Sequence, residues 1–133
     1  MKLSKKSEYA CLALIDLTKN YGQDPVKIID ISTRNNIPKK YLEQILLLLK
    51  GSGYAKSIRG AEGGYKLAKH PSQITLAEII RLIDGALAPV ESVSTYFYDH
   101  TPIEQNEKLI GVFKEIGNYI SNKLENITFE DLK

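Results

Sequence analysis

The stretch from residue 26 to residue 67 constrains the fold most strongly, because two helix patterns and a glycine-rich hairpin pattern follow one another in it without a gap. In the second helix pattern, IPKKYLEQILLLLKGSG, apolar residues recur at helical spacing on one face. That face is predicted to pack, which leaves the other free to contact a partner. The packing face consists of Leu42, Ile45, Leu46 and Leu49, and the free face of Lys39, Lys40, Glu43, Gln44 and Leu47.

The first helix pattern, IIDISTRNN, covers about residues 28 to 35. Asn35 and Asn36 are predicted to end it, because Asn tolerates the left-handed backbone that a tight turn needs. Pro38 suits the first turn of the next helix, where its missing N–H is not required, and this leaves Ile37 as the N-cap. The inward residues of the first helix are predicted to be Ile28, Ile31 and, as a further candidate, Ile29.

The segment YAKSIRGAEGGYKLAK is predicted to form two short strands around a loop that contains Gly60, Gly63 and Gly64. Arg59 lies at the entrance of this loop, and Lys56 and Lys66 flank it. A nucleotide-phosphate loop is excluded, because GAEGGY is followed neither by Lys-Ser or Lys-Thr nor by a helix start. A basic glycine hairpin directly after two helices favours a winged helix-turn-helix that binds DNA.

The charge of the chain is divided unevenly. Residues 1 to 66 hold twelve Lys or Arg against six Asp or Glu, whereas residues 67 to 133 hold six against ten, which together give the net charge of +2. The basic half is the half with the helix pair. This asymmetry indicates an electrostatic footprint for phosphate at one end of the molecule.

Several motifs in combination resemble the Rrf-two (Rrf2) family of bacterial transcription regulators. They are YLEQIL, SIRGAEGGYKLA, ITLAEIIRLIDG and a following PVE, with an opening helix at MKLSKKSEYACLALIDLTKN. The resemblance covers nearly the whole chain. It implies a mainly α fold with a small β-hairpin wing, namely a winged helix-turn-helix domain plus a long C-terminal dimerisation helix. It also implies a DNA-binding regulator, by default a repressor. The single cysteine, without a secretion signal, makes the cytoplasm the expected compartment.

A homodimer of this kind would place two recognition helices on a palindromic site with half-sites roughly 34 Å apart. Lysine suits guanine edges or phosphates, glutamine suits adenine, and glutamate suits the cytosine amino group. By resemblance, Tyr41 joins this face and Arg59 enters the minor groove, which attracts a guanidinium where it is narrow. The predicted DNA-binding residues are Lys39, Lys40, Tyr41, Glu43, Gln44 and Arg59.

The segment from residue 85 to residue 102 is the least regular part of the chain and is the candidate sensor. Cluster-binding members of the family carry three cysteines there, whereas residues 91 to 107 of this chain contain none. Because iron–sulfur clusters need thiolates, we expect neither a metal site nor a cofactor. The alternative is a partial site completed across a dimer, with Glu8, Cys11, Asp99 and His100 as the candidate ligands.

The aromatic run Tyr96, Phe97 and Tyr98 has two interpretations. In the plainer one, the rings pack under the loop or against the partner subunit. In the other, they contribute to a pocket for a small-molecule effector, because rings with hydroxyl groups suit a ligand of mixed polarity. The candidate effector-pocket residues are Tyr96, Tyr98 and His100.

Cys11 is the only cysteine and excludes an intrachain disulfide. It lies in the apolar stripe of a helix predicted from residue 3 to about residue 20, and we interpret it as a small buried hydrophobe. Asp16 interrupts that apolar run, so the N-terminus is not interpreted as a signal peptide. No run reaches the roughly 18 apolar residues that a membrane span requires.

Two more helices are predicted after the hairpin. Thr75 and Glu78 form a capping box that opens one over about residues 76 to 83. The other is a long amphipathic helix from residue 103 to about residue 124, whose apolar face a second copy of the chain can cover. The alternative is that this helix packs only onto its own domain. Its stripe is Leu109, Phe113, Ile116, Ile120 and Leu124, broadened by Ile110 and Val112.

The predicted division of the chain is a winged helix-turn-helix domain at 1–84, the loop at 85–102, and the dimerisation helix and tail at 103–133. The expected partners are double-stranded DNA, a second copy of the chain, and a small-molecule effector or a protein co-regulator, but no membrane. The alternative function is a winged-helix module whose main partner is another protein, such as a metabolic enzyme. Catalysis is not indicated, because no nucleophile motif or paired carboxylate stands at an informative spacing.

Overall fold

The computed structural model describes residues 1–133 and contains five α-helices and one antiparallel hairpin. None of the helices combines the length and the apolar composition that crossing a membrane requires. Four short 3₁₀ turns lie in the second half of the chain, the last at Phe129–Leu132. The elements are α1 (Lys5–Lys19), α2 (Ile28–Asn35), α3 (Lys39–Gly51), β1 (Ala55–Ile58), β2 (Gly64–Leu67), α4 (Leu76–Asp84) and α5 (Glu107–Glu125).

The turn between α2 and α3 contains the left-handed residue that the sequence predicts. Asn36 has a φ of 52° and is the only residue other than glycine with a positive φ. The predicted N-cap of α3 is wrong by one residue, because Pro38 takes that position and Ile37 is buried in the core. In α2, Ile31 is fully buried, whereas the further candidate Ile29 is 52% exposed and does not face inward.

Side-chain caps explain where the last two long helices begin. Thr75 and Glu78 exchange hydrogen bonds as the predicted capping box of α4. The side chain of Asn106 accepts a hydrogen bond from the Leu109 N–H at 2.9 Å and caps α5. The long helix therefore begins at Glu107 and not near residue 103, where a separate 3₁₀ turn precedes it.

One hydrophobic core joins the first three helices to the hairpin and to the end of the chain. The four α3 residues that the sequence predicts to pack are all fully buried, so α3 lies at the centre of this core. Phe129 is fully buried in the same core. The tail reaches it by pairing with the residues before α4, since the Leu76 N–H donates to the Ile127 carbonyl at 2.8 Å.

The α5 helix carries two apolar stripes side by side. The first packs against the rest of the chain, with Ile110 and Gly117 buried and Phe113 half-buried among others. The second is open to solvent. The single stripe predicted from the sequence is thus divided, because Leu109 and Ile116 belong to the exposed stripe. The exposed stripe consists of Leu109, Val112, Ile116 and Tyr119.

Candidate nucleic-acid interface

The outward face of α3 presents polar side chains to solvent. Tyr41, near the start of the helix, is 36% exposed, and its ring meets the Tyr9 ring of α1 edge-on with 5.4 Å between centroids. This contact fixes the orientation of the Tyr41 ring. The other exposed residues of the face are those the sequence predicts, namely Lys39, Lys40, Glu43, Gln44 and Leu47.

An open groove of about 510 Å³ lies between this face and the hairpin. Lys39 and Glu43 line it from α3, and Ile29 lines it from α2. The hairpin contributes Ser57 and Ile58. The structure therefore brings α2, α3 and the hairpin together along one continuous surface.

The hairpin is held in a fixed position beside α3. Val26, which precedes α2, exchanges two backbone hydrogen bonds with Tyr65 of β2, at 2.9 and 2.8 Å. The loop is tight because Gly63 has no side chain, since a Cβ there would lie 2.2 Å from the Ile58 carbonyl oxygen. Arg59 follows β1 directly and is exposed at the tip. Backbone pairing therefore determines the position of Arg59 relative to the outward face of α3.

The buried side chain of Asp16 connects α1 to α2. Its carboxylate accepts hydrogen bonds from Arg34 Nη2 at 2.7 Å, from Arg34 Nε at 3.0 Å and from Asn35 Nδ2 at 2.9 Å. The hydrogen bonds to Asp16 raise the pKa of Arg34. This network was not predicted from the sequence. An acidic residue inside an apolar stripe does indicate one, because a buried carboxylate needs hydrogen-bond donors.

A second network fastens the start of α1 to the end of α4. Asp84 accepts hydrogen bonds from the Ser4 N–H at 2.9 Å and from the Ser4 hydroxyl at 2.5 Å. Burial acts to raise the pKa of Asp84, but the hydrogen bonds from Ser4 outweigh it and lower that pKa below its ordinary value. Ser4 also accepts from the Ser7 N–H at 3.1 Å as the N-cap of α1. The basic N-terminal end of α1 thus has a defined position.

Two of the candidate effector residues lie together, and the third lies apart. His100 Nδ1 is 2.8 Å from Glu104 Oε2 and 3.0 Å from the Tyr98 hydroxyl, which also donates to Glu104. The hydrogen bond with Glu104 raises the pKa of His100, and hydrogen bonds from Tyr98 and His100 lower the pKa of Glu104. Tyr96 instead packs against Arg81 of α4, with 4.6 Å between its ring centroid and the guanidinium carbon.

The aromatic run does not pack under its own loop. Tyr96 is 70% exposed, Phe97 45% and Tyr98 51%. The part of the plainer interpretation that buries these rings within the protomer is therefore wrong, because the loop leaves them on the surface. Contact with a partner subunit and contact with an effector both remain predictions.

Known sequences match this chain over nearly its whole length. A sequence model of the Rrf2 family, described as an iron-dependent transcriptional regulator, matches residues 3–133. The HTH-type transcriptional regulator CymR of Bacillus subtilis is 36% identical over 132 residues, which cover 99% of this chain and 89% of CymR. The HTH-type transcriptional regulator IscR of Cronobacter sakazakii is 33% identical over 135 residues, which cover 99% of this chain and 80% of IscR.

Solved structures match the fold as well. CymR, the global cysteine regulator of B. subtilis, superposes with a TM-score of 0.81 at 35% identity, covering 99% of this chain and 95% of that one. IscR of T. potens superposes with a TM-score of 0.77 at 31% identity, covering 99% of this chain and 85% of that one. The predicted winged helix-turn-helix fold is thereby confirmed.

Iron, to which the description of the matching family refers, does not fit the donors of a single copy of this chain, while a partial site completed across a dimer stays a prediction. No three His, Cys, Asp or Glu side chains lie close enough together to hold a metal ion. Burial, and secondly the charge of Asp84, raise the pKa of the half-buried Cys11 to about 11, which disfavours the thiolate that an iron–sulfur cluster needs. Glu8, Asp99 and His100, the other candidate ligands, are all exposed, and Glu8 lies on a different segment from the other two.

Proposed function

The chain belongs to the Rrf2 family and is a DNA-binding transcription regulator, and we propose that it is a repressor that binds a palindromic operator as a homodimer. One observation carries the proposal. The polar face of α3 and the hairpin that presents Arg59 border the same groove. A helix that enters the major groove would thus have a basic tip beside it for the adjacent minor groove.

Each exposed residue of this surface receives a role from its chemistry. Gln44 reads adenine through its amide, and Glu43 accepts from a cytosine amino group. Lys39 and Lys40 contact guanine edges or phosphates, and Tyr41 contacts the phosphate backbone through its hydroxyl. Arg59 enters the minor groove where it is narrow. These contacts combine base readout by α3 with shape readout by the hairpin.

The exposed stripe of α5 supports the homodimer. Leu109, Val112, Ile116 and Tyr119 follow the spacing of three, four and three residues that two packed helices share. An unpaired apolar row of this length on a small protein indicates an interface. A second copy related by a two-fold axis would cover it with the same row and would place two α3 helices on two half-sites.

The segment at 85–102 is proposed as the place where a small-molecule effector or a protein co-regulator acts, between the DNA-binding part at 1–84 and the dimerisation helix and tail at 103–133. Arg81 connects these parts. It lies against Tyr96 of the segment and forms an ion pair with Glu125 of α5. An effector that displaces Tyr96 would therefore act on a residue that already joins α4 to α5.

The proposed contacts are tested by operator selection followed by affinity measurement at fixed salt. Gln44→Ala and Arg59→Ala should each weaken binding to the selected operator by about 1–3 kcal/mol. Lys108→Ala, an exposed lysine of α5, serves as the matched control and should change affinity little. Unchanged affinity in both test variants would overturn the assignment. Weak binding without sequence preference would instead favour a module whose main partner is another protein.

A further inference from the structure

Two lysines stand directly opposite each other in the hairpin. Lys56 of β1 and Lys66 of β2 are partners in the antiparallel register, so their side chains lie on the same face. Like charges in this arrangement destabilise a strand pair. Neither ammonium forms an ion pair, and Lys66 is half-buried, where solvent screens its charge less.

The lysine pair is separate from the tip of the hairpin. The residues paired at the tip end of the ladder are Ile58 and Gly64, and Arg59 follows. Arg59 lies three positions after Lys56, which in extended strand is about 10 Å. The pair therefore belongs to the base of the hairpin, and the minor-groove role proposed for Arg59 does not account for it.

A cavity of about 200 Å³ lies at this base, between the end of α1 and the hairpin. Both lysines line it, together with Asn20, Tyr21 and Asp24. The amide of Asn20 is already engaged, since it donates to the Asp16 carbonyl at 2.9 Å. The Tyr21 ring is held edge-on against His70 with 5.0 Å between centroids, which leaves its hydroxyl free to donate.

The charge and size of the cavity define what it can hold. Two lysines and one acidic residue, Asp24, are the charged residues of the lining, so the cavity carries a net positive charge and attracts an anion. The volume is below the roughly 300–1,000 Å³ of pockets for drug-sized ligands, so the anion must be small.

We propose that this cavity is a binding site for the oxyanion group of a small molecule, such as a phosphate, a sulfate or a carboxylate. Lys56 and Lys66 bind it through charge-assisted hydrogen bonds, and the Tyr21 hydroxyl donates a third. The bound anion removes the repulsion between the two lysines and stabilises the pairing of β1 with β2. The site does not depend on the proposed operator or on the dimer.

The test uses the full chain in a chloride buffer at constant ionic strength, titrated with inorganic phosphate and, separately, with sulfate. Amide chemical shifts are followed by NMR. Saturable shifts should appear at Tyr21, Lys56 and Lys66. Lys66→Gln should weaken binding about tenfold or more, since a hydrogen bond to a charged group contributes about 1.5–3 kcal/mol. Lys108→Gln, which removes the same charge from α5, should leave the affinity unchanged.

Two outcomes would overturn the proposal. Shifts that grow linearly with anion concentration and spread over many lysines would mean that no site exists, as would equal affinities in Lys66→Gln and Lys108→Gln. A DNA-binding measurement then distinguishes a free anion from the other source of phosphate, which is the DNA backbone. If Lys66→Gln binds free phosphate and sulfate as tightly as the unmodified protein does, but lowers the salt slope of DNA binding by about 1, the lysines contact DNA phosphates instead. Lys56→Gln repeats the test should Lys66→Gln fold poorly.

Discussion

The carboxylate of Asp16 in α1 is held by the guanidinium of Arg34 in α2 through two hydrogen bonds, to Nη2 at 2.7 Å and to Nε at 3.0 Å. The Asp16 side chain is 6% exposed, whereas that of Arg34 is 51% exposed. The pair fixes the first helix of the helix-turn-helix against α1. Because only a short turn separates α2 from α3, the same pair also constrains the direction of α3, the proposed recognition helix.

Arg34→Ala should lower the free energy of unfolding by about 1–2 kcal/mol, because it leaves a buried carboxylate with fewer donors while solvent compensates in part. Urea denaturation measures the change. Arg34→Lys keeps the charge but not the two-pronged geometry, so it should recover only part of the loss. Equal stability of Arg34→Ala and the unmodified protein would show that water replaces the guanidinium without cost.

Ser4→Ala should destabilise the protein by about 1–2 kcal/mol at neutral pH, because it removes an N-cap together with a donor to Asp84. Part of this difference should depend on pH. The pKa of Asp84 is lower in the folded protein than its ordinary value of 3.8, so its stabilising effect is complete above that value and is lost as the pH falls through the lowered one. A difference that stays constant from neutral pH to about pH 3 would contradict the role of Asp84.

Cys11 should react slowly with alkylating reagents in the folded protein. Its pKa is raised from 9.0 to about 11, so the thiolate fraction at pH 8 should be about a hundredfold below that of the unfolded chain. Mass spectrometry after iodoacetamide treatment, with and without urea, measures the ratio. Stability should also fall as the pH rises from about 9 to about 11, because the unfolded chain releases the thiol proton first. Similar rates in both states would contradict the burial of this thiol.

Ile116→Glu should convert the protein to a monomer, since it places an unpaired charge in the middle of the apolar stripe proposed as the dimer interface. Asn118→Glu, an exposed position on the polar side of the same helix, is the matched control and should leave the mass unchanged. Sedimentation equilibrium distinguishes one copy from two. If Ile116→Glu keeps the mass of the unmodified protein, α5 does not form the interface.

The features that could be predicted from the sequence are those that depend on neighbouring residues. The buried face of α3 follows from helical spacing, the start of α4 from the capping box of Thr75 and Glu78, and the turn before α3 from Asn36. In each case the interacting groups lie within a few turns of one another. Local periodicity and capping chemistry therefore define most of the surface proposed to contact DNA.

The features that could not be predicted depend on residues far apart in the chain. Asp84 and Ser4 are separated by 80 positions, and nothing in either local pattern indicates the other. Phe129 enters the core because the tail pairs with the segment before α4. Helical spacing shows that α5 has an apolar side. That side consists of two adjacent stripes, and the packing of the whole domain decides which of them faces the rest of the chain.

The most direct test of the proposed function is the ratio of affinities for a selected palindromic duplex and for a scrambled duplex of the same length, measured with metal-free protein at one salt concentration. A sequence-specific regulator should favour the palindrome by about 10³-fold or more. A ratio near one at the same salt would contradict the assignment of α3 and Arg59 to operator recognition, and would leave a winged-helix module that serves a protein partner.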